Sequence, residues 1–111
     1  MQADPVVTGS IFFLQRIALL PTARVIVHLA DVSGAEAEVI SRQVIEANGG
    51  QVPFGFELSY QPRQIDESHE YAVSAQIEED GRVTWITTKR YAALTLGNPI
   101  EDLQLRLDPA N

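Results

Sequence analysis

Histidine and carboxylate side chains are the residues of this sequence best suited to acid–base or metal chemistry, and their spacing favours neither. The chain has two histidines, His28 and His69, and no cysteine. Histidine is the usual acid, base or metal ligand near neutral pH, but these two lie in different segments. The lack of cysteine excludes a thiolate nucleophile, a disulfide framework and cysteine-ligated zinc or iron–sulfur sites.

The surroundings of each histidine favour a structural or solvent-exposed role. His28 alternates with the apolar residues Val27 and Leu29, so it is predicted to face solvent or the less apolar side of a strand. His69 lies in the polar segment 66–70, where it could form a pH-dependent contact with neighbouring carboxylates. Neither position predicts a metal ligand.

The carboxylates and serines form no recognisable catalytic motif. The acidic run at 78–80 lies at a predicted hairpin and lacks the ligand spacing of a calcium loop. The pairs Glu36 with Glu38 and Glu101 with Asp102 have nothing that brings them to a shared cleft. No serine lies in a G-x-S-x-G elbow. We therefore predict a non-enzymatic protein without metal or cofactor, whose melting temperature is the same with and without a chelator.

The composition indicates one acidic, globular domain. The chain has 111 residues, of which 45% are hydrophobic, a size that suits a single core. Lys and Arg number 8 against 15 Asp and Glu, so the net charge is -7. Such a surface repels phosphate backbones and anionic lipids, so nucleic acid and anionic membrane surfaces are poor candidate partners.

A cluster of basic and aromatic residues is the candidate protein-binding site. Lys89 and Arg90 precede Tyr91 and lie close in sequence to Trp85. Arginine and large aromatic residues are enriched at protein interfaces, so these four are predicted to contact a partner. Two alternatives remain open: Trp85 or Tyr91 fills the core, or a partner adds a strand to the predicted edge strand that contains Pro53.

The apolar residues recur mainly with period 2, which predicts β-strands that bury one face. The strands are predicted at 6–14, 24–31, 39–46, 52–60, 71–79, 82–88 and 103–107. A helix over 34–47 is the alternative for the third of these, but it would lack a clear N-cap, so a strand is favoured. Asp80-Gly81 predicts a two-residue hairpin turn.

These strands predict an all-β fold, an antiparallel β-sandwich of about seven to eight strands with Greek-key, immunoglobulin-like topology. Tyr71 follows Ile65 and a polar turn, a spacing that resembles a tyrosine corner, in which the hydroxyl bonds to backbone upstream. The alternative is that Tyr71 is only a core aromatic. The predicted core residues are Phe54, Phe56, Val73, Ala75, Leu103 and Leu105.

The N-terminal residues carry no signal peptide pattern, and no apolar run is long enough to span a bilayer. We expect a disordered tail at 1–5 and a single domain at 6–108.

Several blocks together resemble a known family. The blocks are Thr8-Gly9-Ser10, Gln15-Arg16-Ile17-Ala18-Leu19 with Pro21, 25–33, Gln51-Val52-Pro53-Phe54, Gln64-Ile65, and Tyr71 to Ile77 with Asp80-Gly81. Over residues 8–95 the sequence is similar to the YbaY and YscW family of bacterial lipoproteins.

The resemblance implies a periplasmic β-sandwich anchored to the inner leaflet of the Gram-negative outer membrane through a lipid on an N-terminal cysteine. The 1–5 tail is then the remnant after the anchor site. Some members are pilotins that bind the C-terminal tail of a type III secretion secretin and assist its outer-membrane localisation and assembly. We therefore expect a monomeric pilotin with a secretin tail as its partner. The alternative is a YbaY-like envelope lipoprotein with a structural or stress-related role.

Overall fold

The computed structural model describes residues 4–110 and contains eight strands and one short 3-10 turn. The strands are β1 Val6–Phe12, β2 Arg24–Asp31, β3 Glu38–Glu46, β4 Phe54–Ser59, β5 Tyr71–Glu79, β6 Arg82–Thr87, β7 Tyr91–Ala93 and β8 Leu103–Pro109. The 3-10 turn is at Pro62–Gln64. The all-β prediction is confirmed, including the strand rather than helix at β3. Within residues 4–110 no helix has the length and apolar character needed to cross a bilayer.

The strands form one path, in the order β3-β2-β5-β6-β8-β1-β4, with β7 also paired to β5. The sheet curls into a nearly closed barrel. This differs from the expected all-antiparallel sandwich, because β1 and β8 pair in parallel, with Ile11 opposite Leu105. Alternation along a sequence indicates which side chains face inward, but it does not indicate which distant strands become neighbours.

The two ends of this path, β3 and β4, lie next to each other without ladder pairing, at a seam along the barrel. A side chain bridges the seam, since the backbone N–H of Glu57 on β4 donates to Oε1 of Gln43 on β3 at 2.7 Å. Pro53 immediately precedes β4, and this edge position agrees with the prediction made from the proline.

The core lies inside the barrel and follows the predicted alternation. Val25, Val27 and Leu29 on β2 are fully buried and face Ile77, Ala75 and Val73 on β5. Of the six predicted core residues, five are buried, and Phe54 is partly buried against the same cluster. Burial of this continuous apolar interior is the main stabilising contribution to the fold.

Two predicted local motifs are present. Asp80 and Gly81 connect β5 to β6 with φ values of 51° and 77°, as a tight turn with positive φ at both central residues requires. The hydroxyl of Tyr71 accepts a hydrogen bond from the backbone N–H of Asp66, which is the bond expected of a tyrosine corner.

The predicted N-terminal tail lies partly beyond the part of the chain that the structure describes, since residues 1–3 fall outside it. The next two residues contact the end of β4. The N–H of Tyr60 donates to the carbonyl of Pro5 at 3.1 Å, and the Gln61 amide donates to the Asp4 carboxylate at 3.1 Å.

Candidate partner-binding surface

Trp85 lies inside the barrel, so it offers little surface to a partner. Its side chain is 4% exposed. Its ring stacks on Phe13 with centroids 3.9 Å apart and planes within 7°. The geometry thus favours the alternative reading of this residue, in which it fills the core.

Tyr91 is half-buried and holds together a break in the sheet. Its hydroxyl accepts the backbone N–H of Arg106 on β8 at 3.0 Å. Thr87 acts similarly on the other side of the break, because its Oγ1 accepts the N–H of Ala75 on β5 at 3.2 Å. Where β6 ends and β7 begins, these two hydroxyl oxygens accept hydrogen bonds from backbone N–H groups in place of backbone carbonyls.

Lys89 and Arg90 lie at the rim of a groove on the outside of the barrel. The groove has a volume of about 300 Å³ and small residues in its lining, among them Ala30 and Ala72. Arg90 donates to the Glu70 carboxylate at 2.7 Å. Lys89 is exposed and forms no ion pair with residues 4–110. The structure therefore places both predicted basic residues beside a concave surface.

The groove is one part of a larger surface, the outward-facing side of β3, β2 and β5 with their neighbours β6 and β7, which we call the outer face. Two rows of mostly apolar residues cross it from strand to strand. One row is Val44, Ile26, Gln76 and Ile86, and the other is Val39, Ala30, Ala72 and Ala92. The side chains of Val39 and Val44 are 54% and 44% exposed. Ile26, Ala30 and Ala72 are themselves buried, so the exposed apolar surface of these rows is chiefly that of Val39 and Val44, and these two residues mark a candidate interface.

The row between these two carries the polar groups of the outer face. Arg42, His28 and Ser74 are neighbours across β3, β2 and β5. Burial first, and then the charge of Arg42, lowers the pKa of His28 below its ordinary value of 6.5. Both causes favour the neutral imidazole ring, which suits contact with an apolar partner.

The backbone beneath the outer face has no free strand edge at its centre. β2 pairs with β3 on one side and β5 on the other over its whole length. β5 pairs with β2 on one side and with β6 and β7 on the other. A ligand on this face therefore contacts side chains and finds few backbone groups with which to extend the sheet.

A second apolar surface lies on the loop between β1 and β2, which we call the β1–β2 loop. Leu14, Ile17 and Leu20 are 67%, 58% and 42% exposed. The loop is nevertheless held in place, because the Gln51 amide bonds both the N–H and the carbonyl of Leu19, at 2.7 and 3.1 Å. Strand direction places this loop at the barrel end opposite the start of β1.

His69 belongs to a separate polar cluster, and the pH-dependent contact considered from the sequence is present. Its Nδ1 lies 2.7 Å from Asp31 Oδ2, and its Nε2 lies 3.5 Å from Asp66 Oδ2. The hydrogen bond with Asp31 raises the pKa of His69 above 6.5. Between Asp4 and Ala110, no group of three or more His, Cys, Asp or Glu side chains is arranged to hold a metal ion.

Sequence reasoning missed most of the outer face, although one signal for it was available. Val25, Ile26 and Val27 form an unbroken apolar run, which indicates that both faces of β2 contact apolar surroundings. Arg42 and Val44 carried no such signal, because only the β2–β3 register places them beside His28 and Ile26.

Comparisons with known proteins give consistent matches. A family model described as type III secretion system lipoprotein chaperone (YscW) matches residues 2–105. The chain is 31% identical over 104 residues to the uncharacterized lipoprotein YbaY of Escherichia coli (strain K12). That alignment covers 92% of this chain and 55% of YbaY, so the chain spans about half the length of that relative.

Among solved structures, an alternative pilotin from the type II secretion system of Vibrio cholerae has the same fold, with a TM-score of 0.92. It is 39% identical, and the match covers 98% of this chain and 99% of that one. The likeness therefore extends over the whole barrel.

Proposed function

The chain belongs to the YscW family of type III secretion system lipoprotein chaperones, and we propose that it is a non-enzymatic, pilotin-type lipoprotein that binds the C-terminal region of a secretin. In this role it assists localisation and assembly of the secretin at the outer membrane. A lipid at the N-terminus anchors the protein to the outer membrane, and the barrel binds the secretin.

The observation that carries this proposal is the likeness to the Vibrio cholerae pilotin, at 39% identity over 98% of the chain. That pilotin belongs to a type II secretion system, whereas the family model refers to type III secretion. The resemblance of the sequence blocks implies a type III secretin, and we retain that as the expected partner. The test therefore includes the tails of both classes of secretin.

The arrangement of the barrel suits a protein that acts by binding alone. The described residues offer apolar exposed surfaces and an exposed cation, Lys89, while the Asp31–His69–Asp66 cluster is engaged in contacts between its own members. Binding without chemistry requires an exposed, complementary surface and a partner whose ordering cost limits the affinity.

Calorimetry of the purified barrel against synthetic C-terminal tails of the type II and type III secretins of the same organism tests the proposal. We expect one tail to bind the monomeric barrel without any lipid, since the lipid only anchors the protein to the membrane. A barrel that gives no heat and no NMR chemical-shift change with either tail at high concentration would contradict the proposal.

The 31% identity to YbaY favours one second candidate, a periplasmic envelope lipoprotein with a structural or stress-related role and no secretin partner. Absence of binding to both tails would support this candidate. Secretion genes beside this gene would favour the pilotin instead.

A further inference from the structure

We infer that the barrel end at which the chain enters β1 lies against a bilayer of zwitterionic phospholipid, with Leu96 and Ile100 inserted among the lipids. We call this end the entry surface, and it comprises the loop 94–102 between β7 and β8 together with the apolar cavity beside it. The inference rests on the proposed function, which places a lipid at the N-terminus. It adds which end of the barrel faces the membrane and which side chains contact the lipids.

The position of the entry surface provides the first argument. The carbonyl of Pro5 accepts the N–H of Tyr60 at 3.1 Å, and the carbonyl of Ile100 accepts the N–H of Thr8 at 3.0 Å. Pro5 and Ile100 also line the same cavity. A lipid attached upstream of Pro5 therefore holds this end of the barrel nearest to the membrane. The β1–β2 loop lies at the far end, beyond the 7 residues of β1, which span roughly 23 Å.

The apolar content of the entry surface provides the second argument. Leu96 and Ile100 are 61% and 42% exposed. The cavity has a volume of about 380 Å³, and its apolar lining residues are Pro5, Tyr60, Pro62, Ile65, Leu94 and Ile100. Exposed aliphatic side chains next to an open apolar cavity are unfavourable in water and are stabilised by contact with acyl chains just below the headgroups.

The backbone of the loop provides the third argument. Leu94 and Leu96 have φ values of 79° and 58°, a region that bulky side chains rarely adopt. Such strain persists only where surrounding contacts impose it. Here the N–H of Leu94 donates to the carbonyl of Pro99 at 3.0 Å, and the Thr95 hydroxyl donates to the carbonyl of His69. The loop thus exposes Leu96 at a cost in stability, which indicates that this side chain has a role outside the fold.

The charges around the entry surface select the type of lipid. Glu67 lines the cavity, and the exposed residues Glu101 and Asp102 directly follow Ile100. Arg63 is an exposed cation in the 3-10 turn at the same end. The carboxylates repel anionic headgroups, whereas the ammonium groups of phosphatidylethanolamine are attracted to them. A zwitterionic bilayer therefore fits an apolar centre with a carboxylate rim.

The test attaches the chain to bilayer nanodiscs through a lipid at its N-terminus and measures how spin-labelled phospholipids broaden the NMR signals of its methyl groups. Ile100 and Ile17 report on the two ends of the barrel. Leu96→Asn removes the apolar side chain, and because asparagine tolerates positive φ the loop keeps its conformation. Leu14→Asn is the matched control, since Leu14 is 67% exposed on the β1–β2 loop.

In nanodiscs of phosphatidylethanolamine and phosphatidylcholine, we expect the Ile100 signal to broaden at least about fivefold more than that of Ile17, because the two lie at opposite ends of the strands. Leu96→Asn should roughly halve the broadening of Ile100, since the apolar contact is lost. The same variant should raise the denaturation midpoint of the barrel in solution, because the strain at this position is relieved. Leu14→Asn should leave the broadening at both ends unchanged. Addition of phosphatidylglycerol should weaken the broadening of Ile100.

Several results would overturn the inference while leaving the proposed function intact. Equal broadening of Ile100 and Ile17, or stronger broadening of Ile17, would show that the entry surface does not face the bilayer. Broadening of Ile100 that Leu96→Asn leaves unchanged would show that the lipid alone holds this end near the membrane. Loss of secretin-tail binding or of a dimer in Leu96→Asn would assign the entry surface to a protein instead. The proposed function fails separately, when the wild-type barrel binds neither secretin tail in calorimetry.

Discussion

The phenolic oxygen of Tyr71 accepts the backbone N–H of Asp66 at a distance of 2.9 Å. The Asp66 carboxylate in turn accepts hydrogen bonds from the N–H and hydroxyl of Ser68. Tyr71 is 1% exposed, so its ring fills the core while its hydroxyl fixes the turn that enters β5.

Tyr71→Phe should destabilise the fold by about 1 to 3 kcal/mol, because the partly buried N–H of Asp66 loses its acceptor while the apolar ring remains. Urea denaturation followed by tryptophan fluorescence measures this change. Tyr60→Phe is the control, since its hydroxyl makes no hydrogen bond within the described part of the chain, and its midpoint should be unchanged. Equal midpoints for all three proteins would show that the Tyr71 bond adds nothing to stability.

Gly9→Ala should destabilise the fold by more than about 3 kcal/mol, beyond the usual cost of overpacking. A Cβ at Gly9 would overlap the carbonyl oxygen of Leu103 and lie 2.8 Å from the Phe56 ring, and the carbonyl cannot move away without a shift of β8. Gly55→Ala on the adjacent strand is the matched control, because its nearest contact is at 3.9 Å. Thermal denaturation of both variants compares them, and similar losses would contradict the predicted close approach at Gly9.

Phe56→Ala should cost about 3 to 5 kcal/mol, since the side chain is 4% exposed and its removal leaves a cavity in the core. Val83→Ala is the control at a site that is 41% exposed, and it should change stability little. Denaturant titrations give both values. A Phe56→Ala midpoint equal to that of the wild type would contradict the assignment of this residue to the core.

The two histidines should make opposite contributions to the pH dependence of stability. The folded pKa of His69 is raised, chiefly by its hydrogen bond with Asp31. Its stabilising effect is therefore complete below the ordinary value of 6.5 and is lost as pH rises through the folded pKa. The folded pKa of His28 is lowered by burial and by Arg42, so the fold loses stability as pH falls below 6.5.

Denaturation midpoints of wild type, His69→Gln and His28→Gln at several pH values between about 5 and 9 measure these contributions. In the wild type, the free energy of unfolding should fall above pH 6.5 because of His69, and this fall should be absent from His69→Gln. It should also fall below pH 6.5 because of His28, and this fall should be smaller in His28→Gln. Salt screens charges, so it should weaken the contributions of Asp31 and Asp66 to His69 and of Arg42 to His28, while the effect of burial on His28 should remain. Parallel pH profiles for all three proteins would contradict both assignments.

His28 should also make partner binding depend on pH. A partner that covers the outer face would bury His28 further and lower its pKa more, so binding there should weaken as pH falls below the ordinary value of 6.5. Calorimetry of the secretin tail at a series of pH values measures this effect. The His28→Gln barrel should bind with a smaller pH dependence, and an unchanged dependence would place the titrating group elsewhere.

The sequence predicted strands well wherever one face of the strand is apolar, as in β2 and β5. Val25, Val27 and Leu29 have the same alternation in the sequence and in the barrel because period 2 is a property of each strand alone. Strand order depends on contacts between distant residues. For this reason the parallel pairing of Ile11 with Leu105 and the seam at Gln43 could not be predicted from the sequence.

The candidate surface was predicted only in part, for the same physical reason. Residue type alone predicts a role for Lys89 and Arg90, and the structure places them beside a groove. Residue type does not distinguish a tryptophan of an interface from one of the core. In the structure Trp85 faces inward from β6 and stacks on Phe13. Arg42 becomes a candidate only when the register brings it beside His28.

The seam between β3 and β4 affects how the protein behaves among copies of itself. Each of these strands has one edge without a ladder partner within residues 4–110, and an open edge is a template for aggregation. Here the two edges face each other, and the hydrogen bond that the N–H of Glu57 donates to Gln43 bridges them. Loss of that amide would therefore affect solubility at high protein concentration more than the free energy of unfolding, because the opened edges would be free to pair with those of another molecule.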